Sequence, residues 1–303
     1  MTNRELPKKW QDWSITEKIG AGTFGSVYKA VRQEKEQTRV SAIKVIRIPD
    51  DRTNEDIQRH PSAYDTGRLV RIYGREKEKA LEEVRIMLEL KGQPNIVPLE
   101  DYAVVPQGNG YGWDLFLRME YLTALPDYLK NHSMSSEEVR RLGIDICQVL
   151  HICEQKGIFH RDIKPGNLFV SPDGSFRLGD FGIAVHSNGR KEIHSDAGTE
   201  LYLAPEARNR KQYCLASDQY SLGLVLYDLL NKGRNPFFDP EKRKYRGREF
   251  EEADRKRLNG TPWPSPVEGT PALDAILRKA CAFDPDQRFH SALAFEQALK
   301  EAA

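Results

Sequence analysis

The chain is 303 residues long, and hydrophobic residues make up 39% of it. That length suits one bilobal domain or two small ones, so core size does not limit folding. The formal net charge is only +1, with 46 basic and 45 acidic residues. A chain this close to neutral has no overall basic field, which argues against a nucleic-acid partner or recruitment to an anionic membrane.

The N-terminus and the cysteines indicate a cytoplasmic protein. Residues 1–12 form an N-terminal extension that lacks the apolar stretch of a signal peptide. The longest apolar run, around residues 222–230, is too short to span a bilayer. We therefore expect no membrane segment in this chain, although a longer parent protein could carry an anchor after Ala303. The four cysteines lack metal-binding or disulfide spacing and are predicted to be reduced core thiols: Cys147, Cys153, Cys214 and Cys281.

Residues 13–47 alternate apolar and polar side chains around glycine-rich turns, which predicts antiparallel strands. They include a G-x-G-x-x-G-x-V motif, whose missing side chains let backbone N–H groups approach phosphate oxygens closely. Glycines also mark ordinary hairpin turns, and a dinucleotide-binding fold would need a helix directly after them. Residues 27–31 read as a strand instead. The predicted nucleotide loop comprises Gly20, Ala21, Gly22, Thr23, Phe24 and Gly25.

Lys44 lies in the third predicted strand, V-S-A-I-K-V-I. Because side chains alternate along a strand, Lys44 is expected to point into a cleft while Ile43 and Val45 face the other way. An isolated strand lysine is usually a solvated edge charge. The glycine motif upstream favours a lysine that holds nucleotide phosphates.

Residues 49–74 are polar and charged without a sustained period, which predicts an inserted surface loop. The simple interpretation is a mobile excursion, and the alternative is a regulatory contact beside the next helix. That helix is predicted over residues 79–90, and strand-like segments follow near 96–104 and 114–119.

Helix signals dominate after residue 121. Ser135 and Glu138 form a predicted capping box, and an apolar helix face follows it until Gly157. Residues 215–230 are apolar nearly all round, which predicts a buried central helix.

Residues 160–167 read H-R-D-I-K-P-G-N, and D-F-G follows at 180–182 after a short apolar segment typical of a tight strand pair. A phosphoryl group in transfer is stabilised by placed cations and by one carboxylate that orients the attacking hydroxyl. We assign that carboxylate to Asp162. Asn167 and Asp180 supply oxygen ligands for magnesium, and Lys164 reaches the transferred group. The two motifs together predict phosphoryl transfer.

These motifs closely resemble the eukaryotic-type protein kinase family, in order from about residue 13 to residue 298. The resemblance implies an α+β, bilobal protein kinase fold with a small N-terminal antiparallel sheet, one main helix beside it, and a larger, mostly helical C-terminal lobe. The implied lobes are residues 13–120, which contain the 49–74 insertion, and residues 121–303. The implied cofactors are ATP and Mg²⁺, and no oligomeric state follows.

The resemblance assigns further residues to the nucleotide. Glu83 best fits the family's spacing for the partner of Lys44, with Glu82 as the alternative. Met119 aligns with the residue that screens the back of the adenine pocket, and Glu120–Leu122 with the segment whose backbone binds the adenine edge. The side chains expected to enclose the ring are Val27, Ala42 and Phe169.

The substrate class also follows from the resemblance. Gly198, Thr199 and the A-P-E at 204–206 resemble the segment that seats a substrate peptide, which small-molecule phosphotransferases generally lack. Lys164 two positions beyond Asp162, together with Thr199, is the serine/threonine pattern. The implied partner is therefore a protein substrate with serine or threonine acceptors.

Two structural pairings are implied in the same way. His160 is expected to stack beneath Phe181 as a packing group, not to act as an acid. Glu206 is expected to form a buried brace with Arg288.

Arg161, beside the catalytic aspartate, implies control through a phosphate on the loop between residues 182 and 204. Ser195 occupies the matching position as a possible phosphosite. Asp196 next to it could instead mimic part of that charge.

Two other classes of function compete with this reading. A pseudokinase scaffold would bind partners through the same fold without turnover, although every group needed for transfer is present. A small-molecule kinase would place the phosphate on a metabolite. Gly166 stands where many relatives carry glutamate, and Asp228 is expected to restore some negative charge near the substrate.

Overall fold

A computed structural model describes residues 6–22, 25–194, 197–238, 242 and 246–302. Contacts divide the chain into two compact units. The first holds the described residues up to Gly92 together with Val97–Leu122, and the second holds Gln93–Ile96 and the described residues from Thr123 onward. The first contains an antiparallel sheet and the second is mostly helical, so the predicted fold class is confirmed.

The first unit is built on a five-stranded antiparallel sheet in the order β1-β2-β3-β5-β4. Its alternating pattern sends Ile43 and Val45 into the core on one face, as the period of two requires. The strands are β1 Ser14–Gly22, β2 Gly25–Glu34, β3 Gln37–Ile48, β4 Leu99–Pro106 and β5 Trp113–Glu120.

The segment before β1 belongs to the core of this unit. Leu6, Trp10 and Trp13 are buried in one cluster with Ile43 and Phe116. The Trp10 ring meets Phe116 edge to face, with centroids 6.3 Å apart. Its indole N–H donates to Asp101 at 2.8 Å, so the buried polar atom is satisfied. The described part of the predicted N-terminal extension is therefore packed against the sheet.

Two helices replace the loop predicted over residues 49–74. They are α1, Asp51–Arg59, and α2, Thr66–Glu89, joined by a short 3₁₀ turn at Pro61–Ala63. Each has an aspartate N-cap: Asp50 accepts from the Thr53 amide at 3.0 Å and Asp65 from the Arg68 amide at 2.6 Å. The helix predicted over 79–90 is thus only the last part of α2.

A small apolar cluster explains why this polar segment is folded. Ile57 of α1 and Leu69 of α2 are buried with Tyr111 from the β4–β5 connection, and Tyr73 packs against them. The Tyr111 hydroxyl donates to the Asn54 side chain at 3.0 Å. With so few apolar residues the sequence shows no clear period, and the cluster forms only through the distant Tyr111.

The second unit is organised around two long helices. In α4, Ser136–Lys156, the predicted capping box is present: the Ser135 hydroxyl accepts from the Glu138 amide at 3.2 Å, and the Glu138 carboxylate accepts from the Ser135 amide at 2.9 Å. Gly157 ends it with φ +64°, a conformation that favours glycine. The apolar helix α6, Leu215–Leu230, is buried on nearly every side.

Shorter elements complete this unit. The remaining helices are α3 Leu125–Tyr128, α5 Pro205–Arg210, α7 Gly247–Leu258, α8 Pro271–Ala280 and α9 Ala292–Glu301. A three-stranded sheet has the order β6-β8-β9, with β6 Thr123–Ala124, β8 Leu168–Val170 and β9 Phe176–Leu178. Two further strand pairs are β7 Ile158–Phe159 with β10 Val185–His186, and β11 Glu192–His194 with β12 Gln212–Cys214. The four cysteines are free thiols. Within the described ranges, no helix has the length and hydropathy needed to cross a bilayer.

Candidate active site

The glycine motif forms the tip of the β1–β2 hairpin. Gly20 faces Val27 and Gly22 faces Gly25 across the strand pair. Gly25 needs to be glycine, because its φ is +124° and a Cβ there would lie 2.3 Å from the Val45 carbonyl oxygen. Ala21 is exposed, whereas Thr23 and Phe24 lie outside the described residues. The described glycines of the predicted loop therefore lie where the backbones of β1 and β2 pair closely.

Lys44 on β3 forms a buried ion pair with α2. Its Nζ donates to Glu83 Oε1 at 2.7 Å, and the two residues are only 5% and 3% exposed. The alternative, Glu82, is more exposed than Glu83 and pairs with Arg85 at 3.1 Å. In a low-dielectric site this pair holds the lysine charge in a fixed position.

The residues predicted for the adenine pocket occupy neighbouring sheet positions. Ala42 on β3 faces Met119 on β5 across the strand pair, and both are buried. The Glu120 amide donates to the Pro98 carbonyl at 3.2 Å. Leu122 ends the first unit. In the second unit, Phe169 is half-buried on β8.

Three predicted side chains surround the carboxylate of Asp162 in the H-R-D-I-K-P-G-N loop. Asp162 Oδ1 accepts from the Thr199 hydroxyl at 2.6 Å. Its Oδ2 accepts from Lys164 Nζ at 2.7 Å and from Asn167 Nδ2 at 3.0 Å. Lys164 also donates to the Thr199 hydroxyl, at 2.8 Å. An alcohol is thus held by a carboxylate and an ammonium group, which is the geometry that general-base catalysis on a hydroxyl needs.

Asp218, at the start of α6, holds the backbone of this loop. Its carboxylate accepts from the amides of His160 and Arg161, each at 3.0 Å, and from the Tyr213 hydroxyl at 2.6 Å. Arg161 has φ +68°, a strained conformation for a non-glycine residue. The two charge-assisted bonds offset that strain. This role could not be predicted from local spacing, because Asp218 follows the loop by more than fifty positions.

His160 joins this loop to the D-F-G turn. Its ring meets Phe181 edge to face at 4.7 Å, its Nε2 lies 3.2 Å from the Gly179 carbonyl, and its Nδ1 accepts from the Asp162 amide at 3.3 Å. Burial lowers the pKa of His160. The ring is therefore neutral with its proton on Nε2, which fits a packing group between the two loops.

Asn167 and Asp180 fit a magnesium ion. Asn167 uses its side-chain nitrogen to donate to the carbonyl and carboxylate of Asp162, at 2.8 and 3.0 Å. No donor in the described part of the chain reaches its carboxamide oxygen. Asp180 is half-buried and has φ +56°. The residue before it, Gly179, donates its amide to the Asn167 carbonyl at 2.9 Å. Two oxygen donors suit magnesium, which usually completes its shell with waters and phosphates.

The segment that leads to Thr199 is tied to the second unit by a strand pair. Ile193 on β11 faces Tyr213 on β12 and packs on a buried cluster that includes Leu203. Gly198 has φ +122°, and a Cβ there would lie 2.8 Å from the Arg161 carbonyl oxygen. Ser195 and Asp196 lie outside the described residues.

Glu206 and Arg288 form a two-bond ion pair in the second unit. The distances from the Arg288 nitrogens to the two carboxylate oxygens are 2.7 and 2.8 Å, and both side chains are buried. The Ser217 hydroxyl donates to the same carboxylate at 2.6 Å. Parallel bonds of this kind are strong and specific in geometry.

Asp228 differs from the sequence expectation. It is 6% exposed on α6 and accepts from Asn235 Nδ2 at 2.8 Å and from the Tyr202 hydroxyl at 3.2 Å. Burial raises the pKa of its carboxyl to about 8. It therefore acts as an internal hydrogen-bond acceptor within the second unit. The prediction that Asp228 offers a negative charge to the substrate is wrong, because its carboxyl is buried and bonded to these neighbours.

The Asp228→Asn variant should change the pH dependence of stability. Between the ordinary carboxyl pKa of 3.8 and the folded value of about 8, the folded chain keeps a proton that the unfolded chain has released. Rising pH therefore favours unfolding over that window, and the variant should remove about 1 kcal/mol per pH unit from the slope. Urea unfolding from about pH 5 to pH 8 measures it. The control Leu224→Ala should lower stability without changing the slope; an unchanged slope in Asp228→Asn would show that the carboxyl is ionised throughout.

Comparison with known proteins agrees with this geometry. Residues 13–301 match the model of the protein kinase domain family. The chain belongs to that family. The family predicted from the motifs is thereby confirmed. The elements described above are those of a protein kinase domain.

Similar proteins come from both eukaryotes and bacteria. The chain is 28% identical over 289 residues to an Aurora kinase of Dictyostelium discoideum, covering 93% of this chain and 64% of that protein. It is 27% identical to the serine/threonine-protein kinase ULK3 of Mus musculus, covering 90% and 52%. It is 30% identical to the serine/threonine-protein kinase PknB of Mycolicibacterium smegmatis, covering 92% and 41%. The chain thus spans about half the length of the curated relatives it matches.

Proposed function

We propose that this chain is a protein serine/threonine kinase that transfers the γ-phosphoryl group of ATP to hydroxyls of protein substrates. The observation that carries the proposal is the Thr199 hydroxyl, which donates to Asp162 at 2.6 Å and accepts from Lys164 at 2.8 Å. Thr199 thus places a hydroxyl of the chain itself in contact with the carboxylate and the ammonium group that an acceptor hydroxyl requires. Two of the relatives above are named serine/threonine-protein kinases, which supports the same acceptor class.

Each residue has one role in the proposed transfer. Asp162 orients the acceptor hydroxyl and takes its proton as the oxygen attacks phosphorus in line. Lys164 stabilises charge on the phosphoryl oxygens, and Thr199 keeps both side chains in place until substrate arrives. Lys44, fixed by Glu83, holds the α and β phosphates.

The metal would be held by Asn167 and Asp180, the two oxygen donors that fit it. Mg²⁺, when bound there, supplies positive charge to the phosphate oxygens. The backbone of the Asn167 loop is kept in position by the Gly179 amide at 2.9 Å and by the Asn167 side-chain bonds to Asp162. Regulation through Ser195 and a cytoplasmic location remain predictions.

A labelling experiment separates this proposal from its two rivals. The purified chain is incubated with Mg²⁺, γ-labelled ATP and an array of peptides, and separately with a metabolite extract. We expect label on serine and threonine residues of peptides. Label on metabolites alone would favour a small-molecule kinase, and nucleotide binding without any transfer would favour a pseudokinase.

A further inference from the structure

Three arginines lie along one face of the first turns of α2: Arg68, Arg71 and Arg75. Their spacing of three and four residues places them side by side on the helix surface. Leu69 and Tyr73 take the opposite side, where they pack into the cluster with α1. The arginines are exposed. The sequence from Thr66 to Arg75 contains no acidic residue, and Asp65 just before it caps the helix through the Arg68 amide.

The later basic residues of the same helix have acidic partners. Lys79 pairs with Glu76 at 2.7 Å, and Arg85 pairs with Glu78 at 2.9 Å. In the parts of the chain that the structure describes, no acidic side chain pairs with the three arginines. Basic residues in the later turns of α2 thus have acidic partners on the same helix, whereas the three arginines of its first turns do not.

An apolar side chain completes this surface. Ile72 lies on the same face between the arginines and is 42% exposed. We call the four side chains the arginine strip: Arg68, Arg71, Ile72 and Arg75. An aliphatic side chain flanked by guanidinium groups complements a helix that presents a leucine flanked by carboxylates, because the apolar contact and the charge pairs form together.

We propose that the arginine strip binds an acidic helical segment of a partner protein. An anionic membrane responds to charge summed over a wide surface. Residues 50–75 contain five acidic and five basic side chains, so that surface offers a membrane no net attraction. A narrow segment laid along α2 meets the arginine strip alone. Its binding site would be on the same helix that carries Glu83.

Binding to a defined peptide tests the proposal without relying on kinase activity. The probe is a fluorescein-labelled helical peptide of about four turns, with glutamates flanking leucines on one face. Fluorescence anisotropy measures its affinity for the whole chain. We expect Arg68→Gln/Arg71→Gln/Arg75→Gln to weaken binding by about tenfold or more, since several charge pairs are lost together. Lys77→Gln/Lys79→Gln/Arg85→Gln removes the same net charge from α2 and should weaken it by less than about threefold.

Charge reversal provides the second arm. The variant Arg68→Glu/Arg71→Glu/Arg75→Glu should prefer the same peptide with lysine in place of glutamate, and circular dichroism checks that its helix content is kept. Equal losses in the two glutamine variants, or no saturable binding by the parent chain, would overturn the proposal. So would tighter, arginine-dependent binding to phosphatidylserine vesicles than to the peptide.

Discussion

Replacing Asp162 by asparagine should lower the rate of phosphate incorporation by a factor of about 10² to 10⁴, the usual contribution of a positioned base. Asparagine keeps the shape of the side chain and can still accept the hydrogen bond that Thr199 donates at 2.6 Å. It cannot take the proton from the acceptor hydroxyl. Nucleotide affinity should change by less than about threefold, because the proposed phosphate and metal contacts belong to other side chains.

The measurement is incorporation of labelled phosphate, with ATP affinity determined separately by calorimetry. Asp127→Asn is the matched control, since Asp127 is an exposed residue of α3 that pairs only at the surface with Lys130. It should retain full activity. Incorporation by Asp162→Asn equal to that of the parent chain would remove Asp162 from the mechanism or reveal a contaminating kinase.

Replacing Arg288 by methionine should destabilise the second unit by about 3 to 5 kcal/mol, the usual cost of leaving one partner of a buried ion pair uncompensated. Glu206 would then be a buried carboxylate that keeps only its bond from Ser217. The guanidinium also donates to the Ala216 and Ala282 carbonyls, each at 2.9 Å, so three chain segments lose a shared donor. Chemical denaturation followed by circular dichroism measures the change.

Two further variants identify the cause of that loss. Glu206→Gln combined with Arg288→Met should recover part of the stability, because no buried charge is then left unpaired. Lys130→Met removes one partner of an exposed pair and should cost less than about 1 kcal/mol. If Arg288→Met cost no more than Lys130→Met, the pair would not act as a brace.

Features set by neighbouring residues could be predicted from the sequence. The capping box of Ser135 and Glu138 involves positions three apart, and Gly157 marks the end of the same helix. The spacing between Asp162, Lys164 and Asn167 is short enough for one loop to bring their side chains together. In such cases backbone geometry leaves few alternatives, so residue type and spacing carry most of the information.

Features set by distant residues could not. The helices within residues 49–74 depend on Tyr111, and the loop prediction overlooked that Asp50 and Asp65 are both suitable N-caps. The burial of Asp228 depends on Asn235 and Tyr202, which reach it from either side along the chain. A single sequence records the polarity of these residues but not which of them meet in the fold.

The N-terminal segment shows that the family match and the packed core of the first unit begin at different residues. The family match begins at residue 13, yet Leu6 and Trp10 already fill the apolar face beside Phe116. Trimming the chain to the matched region would strip a large aromatic ring from that face and expose hydrocarbon to water. The region that matches the family thus begins later than the region that packs as one core. A shortened version intended for crystallisation should retain everything from Leu6.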